Sequence, residues 1–168
     1  MELVVSDTTP LHYLILIGRE TILEKLYGSI MVSPAVLDEL THPSAPAAIS
    51  TWAANPPSWI SVATPIAIPD RFDSLDAGER QALGLAKERN ASWVLLDDKV
   101  ARRFAEREML KPKGTLGIVA DAARSNLLDF AHTVEDLQRT SMHLDSALVS
   151  EIIHQFHRNE MGRSGRGK

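Results

Sequence analysis

The residues of this chain that could do chemistry are carboxylates, and each stands where an apolar run meets a helix-like segment. Asp7 follows Leu3-Val4-Val5, Glu39 lies in Ser33-Pro34-Ala35-Val36-Leu37-Asp38-Glu39-Leu40, Glu79 lies in Asp76-Ala77-Gly78-Glu79, and Asp97-Asp98 follow Trp93-Val94-Leu95-Leu96. In a parallel sheet the carboxyl ends of neighbouring strands open on one crevice, so acids far apart in sequence can meet there. Carboxylates crowded in that way raise one another's pKa values, and a hard divalent cation relieves the repulsion.

Each acid also has a structural role open to it. Asp7 could cap the helix that follows, but Thr9 with Pro10 supplies a capping hydroxyl and a proline at the first helical position, which leaves Asp7 for a cation. Glu39 is preferred to Asp38 because Val36 and Leu40 lie on its side at helical spacing; a helix rotated by one residue would present Asp38 instead. Asp76-x-x-Glu79 is a capping-box pattern, so Glu79 has a competing task. Asp97 and Asp98 must point in different directions, one capping the next helix and the other facing the cluster, and the sequence leaves open which. Lys99, Arg102 and Arg103 follow them as cations for a substrate phosphate or as ordinary solvated helix charges. Thr8 offers a hydroxyl beside Asp7 that could orient a metal-bound water, whereas Thr9 is assigned to capping. Gly114-Thr115, with Lys113 beside it, could present helix N-terminal amides to a phosphate. A simple strand-to-helix turn is the preferred reading there.

The elements that must position these groups are legible from apolar spacing. Strands are expected at Leu3-Val4-Val5, Ile30-Met31-Val32, Trp59-Ile60-Ser61-Val62 and Trp93-Val94-Leu95-Leu96. Two short helices broken at Gly18 separate the first pair. Ser33-Pro34 opens a helix through Glu39, Ala47 to Ala54 is helix-like, and Ala63 to Ser74 is a loop. Asp76 caps a helix ending at Arg89-Asn90, Asp98 to Glu108 forms another, and Gly114-Thr115 starts a further one. Beyond Asn126, Val134 to Thr140 and Asp145 to Arg158 read as amphipathic helices. Alternating strands and helices predict an α/β fold: a three-layer α/β/α sandwich with a central, mainly parallel sheet and additional C-terminal helices. Trp52, Trp59 and Trp93 read as packing residues rather than base-stacking platforms.

Composition sets the outer limits. With 168 residues and 44% hydrophobic content the chain has enough apolar material for a real core without staples. Cysteine is absent, which removes disulfides, thiolate metal sites and thiol nucleophiles and favours a cytoplasmic protein. The start of the chain lacks the basic region of a signal peptide, and no apolar run reaches membrane-spanning length. The formal charge of -4 is uneven: residues 158–168 carry Arg158, Arg163, Arg166 and Lys168 against Glu160, a net +3. The remainder is acidic, so a nucleic acid must be held by local cations or by bound metal. No phosphate-binding G-x-x-x-x-G-K-S/T loop, no dinucleotide G-x-G-x-x-G turn and no G-x-S-x-G elbow exists. The six histidines form no zinc pattern.

Taken together, Asp7-Thr8-Thr9 after an apolar strand, the Val36-Leu37-Asp38-Glu39-Leu40 helix, Asp76-Ala77-Gly78-Glu79-Arg80, Leu95-Leu96-Asp97-Asp98 and Gly114-Thr115-Leu116-Gly117 resemble, in order and spacing, the PIN-domain superfamily. Within it the chain is most similar to a prokaryotic branch related to the VapC-type toxins. The resemblance implies a Rossmann-like PIN domain over 1–126, with a C-terminal helical extension over 127–158 and an unstructured basic tail over 159–168. It implies a cluster of Asp7, Glu39 and Asp97 or Asp98 binding Mg2+ or Mn2+, with Glu79 acting through water. Thr8, Thr9, Arg102 and Thr115 would position substrate. The activity implied is metal-dependent endonucleolytic hydrolysis of single-stranded RNA, as in the toxin of a toxin–antitoxin pair. A small antitoxin-like protein or a second copy of the chain would dock on the C-terminal helices. The alternative from another class is an RNA-binding or partner-binding module with a masked site. A phosphatase using Asp7 as nucleophile ranks below both, since those enzymes want a second aspartate two residues on, where this chain has Thr9.

Overall fold

The computed structural model describes residues 2–164, with side chains through residue 158. The expected basic tail, 159–168, lies outside the described side chains. Five strands form one sheet: β1 (Val4–Ser6), β2 (Ile30–Val32), β3 (Ile60–Val62), β4 (Trp93–Leu95) and β5 (Pro112–Lys113). Their order is β3-β2-β1-β4-β5 and every pair is parallel. The chain builds outward from β1 to β3, then returns to the opposite side of β1 for β4 and β5. Between β1 and β4 the order therefore reverses, and the crevice beyond the carboxyl ends of such a pair is where α/β folds bind ligands. Register brings both strands to that edge together, with Val5 opposite Val94 and Ser6 opposite Leu95.

Helices cover the sheet in a three-layer α/β/α arrangement. That arrangement explains why β1 is buried at all three positions and has no polar alternation. The helices are α1 (Thr8–Leu16), α2 (Thr21–Tyr27), α3 (Pro34–Leu40), α4 (Ala47–Ala54), α5 (Ala77–Glu88), α6 (Lys99–Arg107), α7 (Thr115–Arg124), α8 (Phe130–Gln138) and α9 (Ser146–Ser164). Gly18, at φ +66°, separates α1 from α2 in a conformation that favours glycine. The Ser33 side chain accepts the Val36 N–H at 3.4 Å and Pro34 begins α3, the device expected from sequence.

Three expectations need correction. α1 starts at Thr8, two residues before the Pro10 start that a Thr9 cap would give, so Thr9 lies inside the helix and Asp7 stands at the N-cap position. The cause is tertiary: the Asp7 N–H bonds the Leu95 carbonyl at 2.9 Å, so the chain turns straight out of the sheet into the helix. β5 was not anticipated, being two residues long with a proline. It is an edge strand whose carbonyl side does the pairing, with the Leu96 N–H on the Lys113 carbonyl at 3.0 Å. α8 starts ahead of Val134, because the Asp129 side chain accepts the His132 N–H at 2.7 Å and so provides the cap.

One core places Val5, Val94 and Leu96 of the sheet region against Ala82, Leu83, Leu85 and Ala86 of α5 and Ala101 and Ala105 of α6. Fully burying each of the larger side chains favours the fold by about 1.5–3 kcal/mol before entropy is counted. The loop before α5 is tied to this core. Its single 3-10 turn, Asp70–Phe72, sends Phe72 in to meet Phe104 edge-on at 5.9 Å, while Glu108 is gripped between Arg71 and Lys87. The loop's far end, which carries Asp76, is thereby held in place.

The chain divides into two compact units, Met1–Ile118 and Val119–Lys168, with the boundary inside α7. In the second unit α8 packs on α9, with the Phe130 and Phe156 rings 5.3 Å apart. α9 continues past Arg158, where the sequence suggested an end. No helix among the described residues is long and apolar enough to cross a membrane.

Candidate metal centre

Asp7 is placed by β1, which carries it to the β1/β4 switch point with only 3% of its surface exposed. Its backbone takes the N-cap position of α1, yet its side chain makes no capping bond, and Oδ1 is buried with no hydrogen-bond partner. A buried carboxylate oxygen left in that state is costly. Burial is the main cause that raises the Asp7 pKa from 3.8 to about 7; the Thr8 amide opposes it, and the charges of Asp76, Glu79 and Glu39 add to it.

Glu39 approaches from α3. Val36 and Leu40 are buried and Asp38 is exposed, so the helix is rotated to bring Glu39 rather than Asp38 to the crevice. Both Glu39 oxygens are held: the Thr8 hydroxyl donates to Oε2 at 2.5 Å and the Gly78 N–H donates to Oε1 at 2.9 Å. Each oxygen keeps lone-pair capacity for a further contact.

The third member is Asp76, at the N-cap of α5. Asp7, Glu39 and Asp76 each offer a carboxylate oxygen, and these three atoms lie within 4.8 Å of one another. Three carboxylates offering hard oxygen donors close together, with Asp7 carrying an unpartnered oxygen, suit a cation such as Mg2+ or Mn2+, which takes carboxylate ligands and retains water in its remaining positions. The residues present therefore fit a divalent ion. Sequence reasoning used Asp76 only as a cap. It is a cap, since its Oδ1 accepts the Glu79 N–H at 2.8 Å, but a carboxylate has a second oxygen. The usable signal was the convergence of Asp76 and Glu79 on one helix start.

Glu79 stands behind this trio. Its Oε2 accepts the Asp76 N–H at 3.2 Å, completing the capping box. It is 9% exposed, and its pKa rises from 4.5 to about 7, mainly through burial, then through the Asp76 charge, against the pull of the Asp76 amide. Asp98 and Glu39 push in the same direction.

Asp97 and Asp98 do not join the trio. Asp98 Oδ1 accepts the N–H groups of Val100 and Ala101 at 2.8 and 2.9 Å and so caps α6. Asp97 turns the other way, toward α7: Oδ1 accepts the Thr115 N–H at 2.8 Å and Oδ2 accepts the Thr115 hydroxyl at 2.7 Å. Both carboxylates accept hydrogen bonds from amides that a helix start leaves unpaired; Asp98 does so through Oδ1 alone, and its charge still reaches Glu79. Burial raises the Asp97 pKa while the Thr115 bonds and Arg102 hold it back. The anion at the start of α7 is thus Asp97, so Thr115 serves an internal contact. Thr8 serves Glu39 directly. Arg102 lies beside Asp97: a Cβ on Gly114 would sit 2.9 Å from both Arg102 Nη1 and Asp97 Oδ1. Lys99 and Arg103 are exposed on α6.

No curated protein shows significant similarity to the chain. A family model described as DUF3368, a PIN domain, matches residues 3–158 and so spans the whole acid cluster. PIN domains are generally nucleases and usually work with divalent metal ions. With its parallel sheet, its acids gathered beyond β1 and that match, this chain belongs to the PIN-domain family.

Proposed function

We propose that the protein is a metal-dependent endoribonuclease that hydrolyses phosphodiester bonds of single-stranded RNA. The observation that carries this reading is the convergence of the Asp7, Glu39 and Asp76 carboxylates together with a buried Asp7 Oδ1 that has no hydrogen-bond partner. A divalent ion bound there supplies an activated water and neutralises charge on the transferring phosphate. The chain's own residues do the rest. Asp7, Glu39 and Asp76 would hold the ion, Thr8 and Gly78 fix the Glu39 carboxylate, and the capping box fixes Asp76 at the start of α5. Arg102, with Lys99 and Arg103 on the same helix, gives the substrate backbone local positive charge that the acidic body lacks. A flexible single strand can lower one phosphate toward a carboxylate at the bottom of a crevice more readily than a stiff duplex can.

The test uses purified full-length protein and an end-labelled unstructured RNA with millimolar Mn2+. Internal cleavage that stops on adding EDTA, and that Asp7→Asn lacks, is the expected result. RNA that shifts in mobility but stays intact with metal bound would replace the nuclease with a binding module.

A further inference from the structure

We propose that Gly78 is a positioning residue of the metal centre: its amide holds Glu39, and its missing side chain leaves the space in which Glu39 and Asp7 face the cation. The inference rests on the metal-dependent reading above. Gly78 is the second residue of α5, is buried, and is not among the residues with left-handed backbone. Its conformation therefore suits alanine, which is the better helix former. Space is the obstacle. A Cβ there would stand 2.7 Å from Glu39 Oε1, 2.9 Å from Glu39 Oε2 and 3.0 Å from Asp7 Oδ1. These are oxygens of the candidate ligands, and Asp7 Oδ1 is the buried atom with no partner of its own. Other helical glycines differ: a Cβ on Gly84 meets Ile68 at 3.3 Å, and one on Gly117 meets Lys113 at 3.2 Å.

The crowded Glu39 atoms are the free end of a side chain, so a methyl group at position 78 can be accommodated by swinging that carboxylate away. The fold survives such a change. The ligand geometry does not, because the bonds from the Gly78 N–H and the Thr8 hydroxyl hold Glu39 where it now is.

The experiment is Mn2+ binding to full-length protein, followed by loss of the free-ion electron paramagnetic resonance signal, together with melting curves without metal. Gly78→Ala is expected to keep its metal-free melting temperature within a few degrees and to bind Mn2+ roughly 10- to 100-fold more weakly, the usual loss when support for a ligand is removed. Gly117→Ala should bind as wild type does. If wild type and Gly78→Ala bind equally well, the role of Gly78 is overturned and the metal reading stands. If wild type itself binds no Mn2+, the metal reading falls and this one with it. Should Gly78→Ala alone not fold, the double variant with Glu39→Ala, which removes two of the three crowded oxygens, is expected to fold; its failure would also overturn the proposal.

Discussion

The ends of β1 and β4 make the most instructive comparison in the molecule. Both are three-residue strands lying side by side in register, with Asp7 directly after β1 and Asp97 two residues after β4. At the end of β4, Asp97 and Asp98 together accept four hydrogen bonds from the starts of α7 and α6. At the end of β1, Asp7 keeps an oxygen with none. Residue type is the same, but the register pairs Ser6 with Leu95, so Asp97 lies one residue further beyond its strand than Asp7 does, which turns its side chain another way and toward other donors. After β4 the chain runs three residues, Leu96 to Asp98, before α6 begins, and α7 arrives from β5 with the Thr115 amide free of helix partners. After β1 the helix begins at once, which brings the Asp7 backbone into the cap position and sends its side chain toward Glu39 and Asp76. Asp97 commits both oxygens to Thr115, whereas Asp7 keeps one oxygen unbonded among other carboxylates, and that free oxygen is what a cation can use.

The largest expected effect lies on the β1 side. Asp7→Asn should abolish the rise in melting temperature produced by Mn2+ and lower RNA cleavage by more than the roughly 10- to 100-fold seen when a supporting residue is lost. The same variant should change the pH response of the metal-free protein. With folded pKa values near 7 for Asp7 and Glu79 against 3.8 and 4.5 for the ordinary groups, the folded chain keeps protons that the unfolded chain has released between those limits. Their joint contribution therefore erodes stability as pH rises from about 4 to about 7. Denaturation in urea across that range should show a shallower decline in Asp7→Asn than in wild type, and parallel declines would break the comparison from this side.

An intermediate effect is expected on the β4 side. Asp97→Ala removes both acceptors of Thr115 and should cost about 1–3 kcal/mol of stability while leaving Mn2+ affinity near the wild-type value. If Mn2+ affinity instead collapses while urea stability holds, Asp97 belongs to the metal and the contrast between the two strand ends disappears. The smallest effect belongs to Glu79. Glu79→Gln preserves the capping box, so its metal-free stability should stay near wild type, whereas Glu79→Ala should lose about 0.5–2 kcal/mol. A Gln variant that loses cleavage as fully as Asp7→Asn would move Glu79 into the trio.

Much of this was readable from the sequence, and the parts that were not share a cause. The strand before Asp7, the Gly18 break, the Ser33-Pro34 cap and the Asp76–Glu79 box are local patterns, and each forms as local chemistry predicts. The preference for Glu39 over Asp38 also came from local spacing, through Val36 and Leu40. Thr9 failed as a cap because a bond from Asp7 to Leu95, far along the chain, fixes where α1 begins. The direction of Asp97 depends on Thr115, delivered by a two-residue edge strand that has almost no pattern of its own. Asp76 was hidden for a different reason: a satisfactory local role concealed a second one that only the approach of Glu39 and Asp7 reveals.

The strand order also sets a timetable. β1 needs β4 beside it, and β4 lies at Trp93–Leu95, past the middle of the chain. During synthesis Asp7, Glu39 and Asp76 all emerge before the strand whose Leu95 carbonyl anchors Asp7. Pairings so distant in sequence close late, because the intervening loop entropy must be overcome first. A growing or truncated chain that stops before β4 therefore carries all three acids and no seat for the first of them. The cluster is assembled by the return crossover through α5, so the chain cannot hold its cation before the fold is nearly whole.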